Sequence, residues 1–446
     1  MSTSTTGQRE LGFAELRPPL SEPAAVAEAD RCLECGGPYA PAPCVIACPA
    51  GVDVPRFVAE VAAGEPLAAA ATIFAENLLG GTCARVCPVE VLCEGACVLH
   101  HEGRPPIAIG ALQRFATDQA FAERLRPRPP APPTGHRIAV IGAGPAGLVA
   151  AGELAARGHT VTVYDEREEP GGLVRYGIAP YRQTNEPLPD EARMLGELGV
   201  EFRLGTPIDT PARLRQLEAE ADAIFLGIGM GADVDVPLPG DELPGVWESL
   251  PFIEALKTGR PPTVGRRVVV IGGGNTAIDV AREAVRLGAE VVALLYRRTE
   301  AEMPAFPHEV AGAREEGVKI VRLTAPVRFV GSEKLEGVEC LRMRLGARDE
   351  SGRRRPQPVP GSEHVIPADT AVKAIGQAPR SELCSWIEGL ELDGGRVKVD
   401  PASGRTANPK YFAAGDAVSG GATVVEAVRG AKLAAWSIDD WLGGVR

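Results

Sequence analysis

Ten cysteines are distributed very unevenly along this 446-residue chain, because eight of them lie in two groups of four near the N-terminus. Four thiolates are the usual ligand set of an iron–sulfur cluster or of a structural zinc ion. A Cys-Pro pair, typical of ferredoxin-like cluster motifs, occurs in both groups. The pattern predicts two iron–sulfur clusters, with zinc as the competing interpretation. The eight residues are Cys32, Cys35, Cys44, Cys48, Cys83, Cys87, Cys93 and Cys97.

A dinucleotide-binding fingerprint follows the cysteines. An apolar strand-like run, residues 137–141, leads into a glycine turn, a helical stretch and a second strand that ends at an acid. Glycines at these spacings allow a tight turn, close approach to a pyrophosphate and close helix–strand packing, and the acid accepts ribose hydroxyls. The predicted contacts are Gly142, Gly144, Pro145, Ala146, Gly147 and Asp165.

Two further segments suit the same nucleotide. One is a second glycine turn shortly after Asp165, and the other is a Gly-Asp pair far downstream that precedes a helix. A ligand that needs distant segments is long and spans its whole domain, which favours FAD. The predicted contacts are Gly172, Leu173, Gly415, Asp416, Thr423 and Val424.

A second fingerprint begins about 130 residues after the first and is the only internal repeat that the sequence suggests. Its second strand ends in two arginines instead of an acid. Arginines favour the 2′-phosphate of NADPH through charge-assisted, bidentate contacts, although NADH stays possible. The predicted contacts are Gly272, Gly273, Gly274, Asn275, Thr276, Arg297, Arg298 and Gly376.

Composition excludes several classes. A net charge of −12 argues against nucleic acid or an anionic membrane surface as a partner. Residues 1–10 lack the basic start and apolar run of a secretory signal, and the Ala-rich stretch 68–79 is too short and polar to span a bilayer. A cytoplasmic location is therefore predicted, where cysteines serve as metal ligands more often than as disulfides. No cysteine lies between 98 and 339, which disfavours a thiol–disulfide enzyme.

The motifs together resemble one family, which comprises the small subunit of bacterial glutamate synthase and the N-terminal part of dihydropyrimidine dehydrogenase. The resemblance covers nearly the whole chain and rests on a series of motifs in one order. These motifs are residues 31–35, 44–49, 85–88, 93–97, 175–178, 296–298 and 412–416.

The resemblance implies an α/β protein with an N-terminal α-helical domain for two 4Fe–4S clusters. Two Rossmann-like domains of the pyridine nucleotide–disulfide oxidoreductase type are expected to follow. The implied boundaries are 1–130 for the helical domain, 136–262 with 366–446 for the FAD domain, and 263–365 for an NAD(P)H domain inserted within it. A Pro-rich connector, residues 126–135, separates the first two.

The resemblance also implies how the clusters are held. One ligand set is Cys32, Cys35, Cys44 and Cys97. The other is Cys48, Cys87, Cys93 and Gln113, with Cys83 as a bystander; the spacing of the residues alone would make Cys83 the eighth ligand. Two departures from the family pattern are a longer stretch between Cys35 and Cys44, and Gln183-Thr-Asn185 after Arg182, a residue expected on the flavin side.

The expected function is that of an NAD(P)H oxidoreductase subunit. Electrons would pass from NADPH through FAD and two 4Fe–4S clusters to a partner subunit, as in glutamate synthase. Because the cofactors carry this chemistry, no catalytic side chain is predicted. Two alternatives stay open: a subunit serving pyrimidine dehydrogenation or a ferredoxin or 2-oxoacid oxidoreductase system, and, more remotely, a zinc-stapled nucleotide-binding scaffold.

Overall fold

The computed structural model describes residues 15–125, 129–349 and 352–443. The stretch 1–10, in which no secretory signal is predicted, and residues 126–128 of the predicted connector lie outside these ranges. Contacts divide the chain into two compact units. As far as they are described, one contains Leu16–Arg175, Asn185–Met230 and Pro379–Arg446, and the other contains Glu15, Tyr176–Thr184 and Gly231–Ala378.

Residues 15–125 form short helices, as the sequence predicts. In the third of them, apolar residues recur three and four positions apart and are buried, so the helix turns this stripe towards the core. The helices are α1 (Glu22–Ala29), α2 (Pro43–Ile46), α3 (Val54–Ala62), α4 (Pro66–Glu76), α5 (Gly80–Val86), α6 (Val98–His101) and α7 (Ile109–Ala122).

Within the described ranges, no single helix is long and apolar enough to cross a membrane. Helices α4 and α5 together reach the required length and apolarity, but the pair is bent by 91°.

A parallel sheet follows in the same unit. Its strand order is β3-β2-β1-β4, with the late strand Tyr411–Ala413 beside β4. The first predicted strand and the second are confirmed as β1 and β2. The elements are β1 (Arg137–Ile141), α8 (Pro145–Ala156), β2 (Thr160–Tyr164), α9 (Leu173–Tyr176), α10 (Leu188–Glu197), β3 (Glu201–Arg203), α11 (Pro211–Glu220) and β4 (Ala223–Leu226).

The other unit contains a second parallel sheet of order β6-β14-β7-β8-β9 and an antiparallel sheet in which β11 pairs with β10, β12 and β13. Four of its strands, β14-β7-β8-β9, repeat the order β4-β1-β2-β3 of the first sheet, which confirms the predicted repeat. Its elements are β5 (Met230–Asp233), β6 (Val246–Glu248), α12 (Ser249–Lys257), β7 (Arg267–Ile271), α13 (Asn275–Arg286), β8 (Val291–Tyr296), α14 (Pro307–Glu315), β9 (Lys319–Arg322), β10 (Thr324–Val330), β11 (Gly337–Arg348), β12 (Arg354–Pro358), β13 (His364–Pro367), β14 (Thr370–Lys373) and β15 (Gln377–Pro379).

The C-terminal part of the chain completes the first unit. It ends in the long helix that the sequence predicts, whose N-cap Thr423 forms a reciprocal capping box with Glu426. The two isolated cysteines, Cys340 and Cys384, are buried in the cores of their units, as expected for ordinary thiols. The last elements are α15 (Ser381–Ser385), β16 (Leu392–Asp393), β17 (Arg396–Val397), β18 (Tyr411–Ala413), α16 (Asp416–Ser419) and α17 (Val424–Trp441).

Candidate functional site

One set of cysteines lines a single cavity in the helical region: Cys32, Cys35, Cys44 and Cys97. The fold thus brings one cysteine of the second sequence group to three of the first. Burial, reinforced by the nearby Cys35 and Cys97 thiols, raises the pKa of Cys32. Burial and the Cys32 charge raise the pKa of Cys44 to about 11. This grouping coincides with the first ligand set implied by the resemblance, and ligation itself stays a prediction.

The remaining thiols form a second spatial group, which consists of Cys48, Cys83, Cys87 and Cys93. Hydrogen bonding with Cys83 and burial raise the pKa of Cys87, and the charges of Cys83, Cys93 and Cys48 add to the effect. Burial, countered by donation from three backbone N–H groups, raises the pKa of Cys48. Iron would reverse these shifts, because a coordinating thiol is deprotonated outright.

Two residues are candidates for the eighth cluster ligand, and both lie on or against helix α5. Cys83 lies within α5 and is 3% exposed. Gln113, on α7, donates its Nε2 to the carbonyl oxygen of Gly80 at the start of α5, at 2.7 Å. Because the amide nitrogen is used in this way, Oε1 is the atom of Gln113 that could bind iron. Cys83 itself neighbours Cys87, and Gln113 lies against the first residue of the same helix.

The first glycine turn has the geometry that a pyrophosphate needs. A Cβ on Gly147 would lie 1.8 Å from the Gly142 carbonyl oxygen, so helix α8 packs against the turn as only glycine allows. In contrast, a Cβ on Gly144 would have no neighbour closer than 3.9 Å. The space beside Gly144 faces the N-terminus of α8, where free N–H groups favour an anion. Pro145 stands at the first turn of that helix, where its missing N–H costs nothing.

Asp165 directly follows β2 and faces the same turn. Its Oδ2 accepts from the backbone N–H of Ala143 at 2.6 Å, and its Oδ1 accepts from Arg167 N–H at 2.8 Å. Asp165 also lines a cavity of about 370 Å³, a size typical of ligand sites. The cavity combines the turn and an acid with an apolar wall, which suits a nucleoside. Its lining includes Ile141, Gly142, Tyr164, Asp165, Ile208, Pro379, Leu383 and Trp386.

The distant segments predicted for FAD meet at this turn. A Cβ on Gly172 would lie 2.8 Å from the Cα of Gly144, and a Cβ on Gly415 would lie 2.9 Å from the Cβ of Ala146. Asp416 opens α16, its Oδ1 accepts from Ala422 N–H at 3.0 Å, and burial raises its pKa. Leu173 begins α9, and Thr423 and Val424 begin α17. The structure thus brings Gly172 and Gly415 to the first glycine turn, and binding of FAD by these segments stays a prediction.

The second glycine turn lies in the other unit, between β7 and α13. Gly274 is the N-cap of α13, and a Cβ there would meet nothing closer than 4.0 Å. Asn275 accepts from Phe306 N–H through Oδ1, which ties the turn to the loop after β8. The side chain of Thr276 is exposed at the helix N-terminus. Gly272, Gly273 and Gly376 lie at the same edge, since Gly272 and Gly376 follow adjacent strands, β7 and β14.

The two predicted arginines have different environments. Arg297 is exposed directly after β8. Arg298 is 5% exposed, and its guanidinium binds Asp349 at 2.8 Å and the carbonyl oxygen of Arg354 at 2.7 Å. A buried guanidinium already paired in this way has a structural role. Arg297 is therefore the arginine that the geometry offers to a 2′-phosphate.

Arg182 forms ion pairs with two carboxylates of its own unit. It contacts Asp279 of α13 at 2.7 Å and Glu309 of α14 at 2.5 Å, and the Tyr181 hydroxyl donates to Asp279 at 2.6 Å. Burial raises the pKa of Glu309, but a hydrogen bond with His308 and the charge of Arg182 hold it down to about 2. Sequence reasoning placed Arg182 on the flavin side, where its contact stays a prediction, and it missed Asp279 and Glu309. Asp279 and Glu309 are about 100 residues or more from Arg182 in the sequence, so no local pattern connects them with it.

Sequence reasoning also missed Lys432, which is 5% exposed in the middle of α17. Its ammonium binds oxygens of Ala50 and Glu76, both in the helical region. A single lysine among the small apolar residues 431–435 was the available signal.

Comparison with known proteins agrees with this geometry. Residues 136–431 match the family model described as pyridine nucleotide-disulphide oxidoreductase, and residues 9–125 match dihydropyrimidine dehydrogenase domain II, 4Fe-4S cluster. The glutamate synthase [NADPH] small chain of Halomonas elongata is 41% identical over 97% of this chain and 94% of its own length. The corresponding chain of Escherichia coli is 38% identical over 97% and 95%.

Among solved structures, Mycobacterium tuberculosis FprA in complex with NADPH superposes with a TM-score of 0.58 and 20% identity, over 70% of this chain and 85% of that one. This likeness concerns the fold. The N-terminal match assigns iron–sulfur clusters, not zinc, to the cysteine groups. The chain belongs to the glutamate synthase small-chain family, as an FAD-dependent NAD(P)H oxidoreductase subunit that carries 4Fe–4S clusters.

Proposed function

We propose that this chain is the electron-input subunit of a glutamate synthase and that its partner is a large subunit of that enzyme. The observation that carries the proposal is the grouping of Cys97 with Cys32, Cys35 and Cys44 in a chain with two dinucleotide turns. When bound, FAD accepts a hydride from NADPH and passes electrons singly to the clusters. The protein's own task is to bind, orient and tune these groups.

The two glycine turns are proposed to bind different nucleotides. For FAD we propose the turn at Gly142–Gly147 with Asp165, Gly172 and Asp416, because these parts meet in one unit. For NADPH we propose the turn at Gly272–Gly274 with Arg297. An NAD(P)H domain inserted within the FAD domain, and a cytoplasmic location in which the thiols stay reduced, complete the proposal.

For the eighth ligand we propose Gln113, with Oε1 on iron. In the Gln113→Ala variant, iron content should fall, or the spectrum of one reduced cluster should change, whereas Cys83→Ala should retain both clusters. Iron and sulfide analysis with EPR of the reduced protein measures this. Loss of a cluster in Cys83→Ala, with Gln113→Ala unchanged, would instead assign the position to Cys83.

The functional test uses the intact holoprotein. Anaerobic NADPH should bleach the visible absorbance, and a purified glutamate synthase large subunit should then form glutamate in proportion to the NADPH consumed. The same large subunit without this chain is the control. Bleaching without glutamate formation, together with rapid reduction of ferredoxin, would refute the large-subunit assignment and favour a ferredoxin-type partner.

A further inference from the structure

The turn after Cys48 is arranged around its sulfur. The backbone N–H groups of Val52 and Ala50 donate towards the Cys48 thiol, and that of Gly51 contributes least. The turn is closed by a hydrogen bond from Gly51 N–H to the Cys48 carbonyl oxygen, at 2.9 Å. Ala50 and Val52 are 5% and 2% exposed, so water does not compete for their N–H groups, whereas Gly51 is exposed. Hydrogen bonds to cluster sulfurs are among the factors that set a cluster's reduction potential.

The other side of this turn contacts a buried ammonium group. Nζ of Lys432 donates to the Ala50 carbonyl oxygen at 3.1 Å, to the Glu76 carbonyl oxygen at 2.7 Å and to Glu76 Oε2 at 2.6 Å. The Lys432 side chain is 7% exposed, whereas that of Glu76 is 43% exposed. Solvent therefore screens the carboxylate more than the ammonium, and the positive charge dominates beside the turn.

The contacted carbonyl belongs to the same peptide group as the N–H of Gly51. That N–H donates to the Cys48 carbonyl oxygen, so the Lys432 hydrogen bond polarises the peptide that closes the turn. Lys432 thus acts on the turn after Cys48 in two ways, through its positive charge and by fixing the Ala50–Gly51 peptide. The charge stabilises added negative charge on a group bound by Cys48.

The position of Lys432 along its helix links this turn to the flavin segment. Thr423, the N-cap of α17, belongs to the predicted FAD contacts, and Lys432 follows nine residues later on the same helix. At 1.5 Å per residue the two positions are about 14 Å apart along the axis. One rigid element therefore carries a flavin contact and the cation beside Cys48.

We propose that Lys432 is a positioning residue that raises the reduction potential of the cluster bound by Cys48, so that this cluster accepts electrons from the flavin. The inference rests on the proposed ligation by Cys48. Sequence patterns do not signal it, because the ammonium and the turn are 382 residues apart.

The test is an EPR-monitored redox titration of the holoprotein and its Lys432→Met variant. At the midpoint potential of the unmodified cluster, the ratio of reduced to oxidised cluster in the variant should be about tenfold lower, which corresponds to about 59 mV for a one-electron couple. The second cluster should shift less. Lys432→Arg keeps the charge and should restore most of the potential. Unchanged potentials in Lys432→Met with full iron content would overturn the inference.

Glu76→Gln covers the case in which Lys432→Met does not assemble. Removing the exposed carboxylate leaves the ammonium uncompensated, so the same cluster should become easier to reduce; an unchanged or lower potential would count against the inference. Cys48→Ala separates the two claims. If it retains both clusters, the proposed ligation fails. If it loses one while Lys432→Met and Glu76→Gln leave the potentials unmoved, only the role of Lys432 fails.

Discussion

Replacement of Arg297 by alanine should convert this NADPH-preferring chain into one that barely distinguishes the two nicotinamide nucleotides. Arg297 follows β8, beside the glycine turn of β7, because these parallel strands pair from Arg267 with Val291 to Ile271 with Leu295. The Tyr296 ring lies directly against the turn, since a Cβ on Gly273 would come within 2.4 Å of it. A 2′-phosphate on a nucleotide bound at this turn is therefore within reach of the exposed Arg297 guanidinium.

The magnitude follows from the kind of contact. A charge-assisted hydrogen bond to a phosphate contributes about 2 kcal/mol. At 1.4 kcal/mol per tenfold change, the Arg297→Ala variant should lose about 30-fold in kcat/KM for NADPH. NADH lacks the phosphate, so its kcat/KM should change less than about twofold. Steady-state rates with an artificial electron acceptor, measured with both nucleotides at low and high salt, give these ratios.

Arg298→Ala is the matched control. Its guanidinium is paired with Asp349 and buried, so removal should lower the melting temperature, because this ion pair is lost. The ratio of kcat/KM for NADPH to that for NADH should stay as in the unmodified protein. Two results would refute the reasoning: an equal loss for both nucleotides in Arg297→Ala, or a changed ratio in Arg298→Ala.

Further predictions concern the flavin turn and a buried carboxyl. In Gly144→Ala, the backbone geometry is ordinary and the new Cβ meets no protein atom, so the apoprotein should melt normally. The Cβ would occupy the space left for the pyrophosphate, so this variant should bind at least tenfold less FAD, and equal FAD content would contradict the reasoning. Gly147→Ala should instead lower the melting temperature of the apoprotein itself. Burial raises the pKa of Glu191 to about 7, despite donation from Thr82. The folded state therefore retains a proton that the unfolded chain releases, so this stability is full below pH 4.5 and lost as pH rises through 7. Relative to Glu191→Gln, the unmodified protein should lose about 3 kcal/mol of stability between pH 4 and 8, and parallel melting curves for the two proteins across this range would contradict the shift.

Much of the architecture was predictable because it follows from local patterns. The strands Arg137–Ile141 and Arg267–Ile271, the glycine turns after them and the C-terminal helix all occur where the spacing of apolar residues and glycines indicates. A glycine turn between a strand and a helix is a short-range feature, so its residues need no information from elsewhere in the chain. The grouping of Cys97 with Cys32 came only from the family resemblance.

The sequence by itself determined the types of chemistry: eight clustered thiols, two dinucleotide turns, and arginines instead of an acid after the second. Only the tertiary structure decided which of these side chains are available. Arg297 and Arg298 are neighbours in sequence, yet one is exposed and the other is paired with Asp349. Lys432 reaches the turn after Cys48 across 382 residues. Availability depends on burial and on partners from distant segments, and these exist only once the chain has folded.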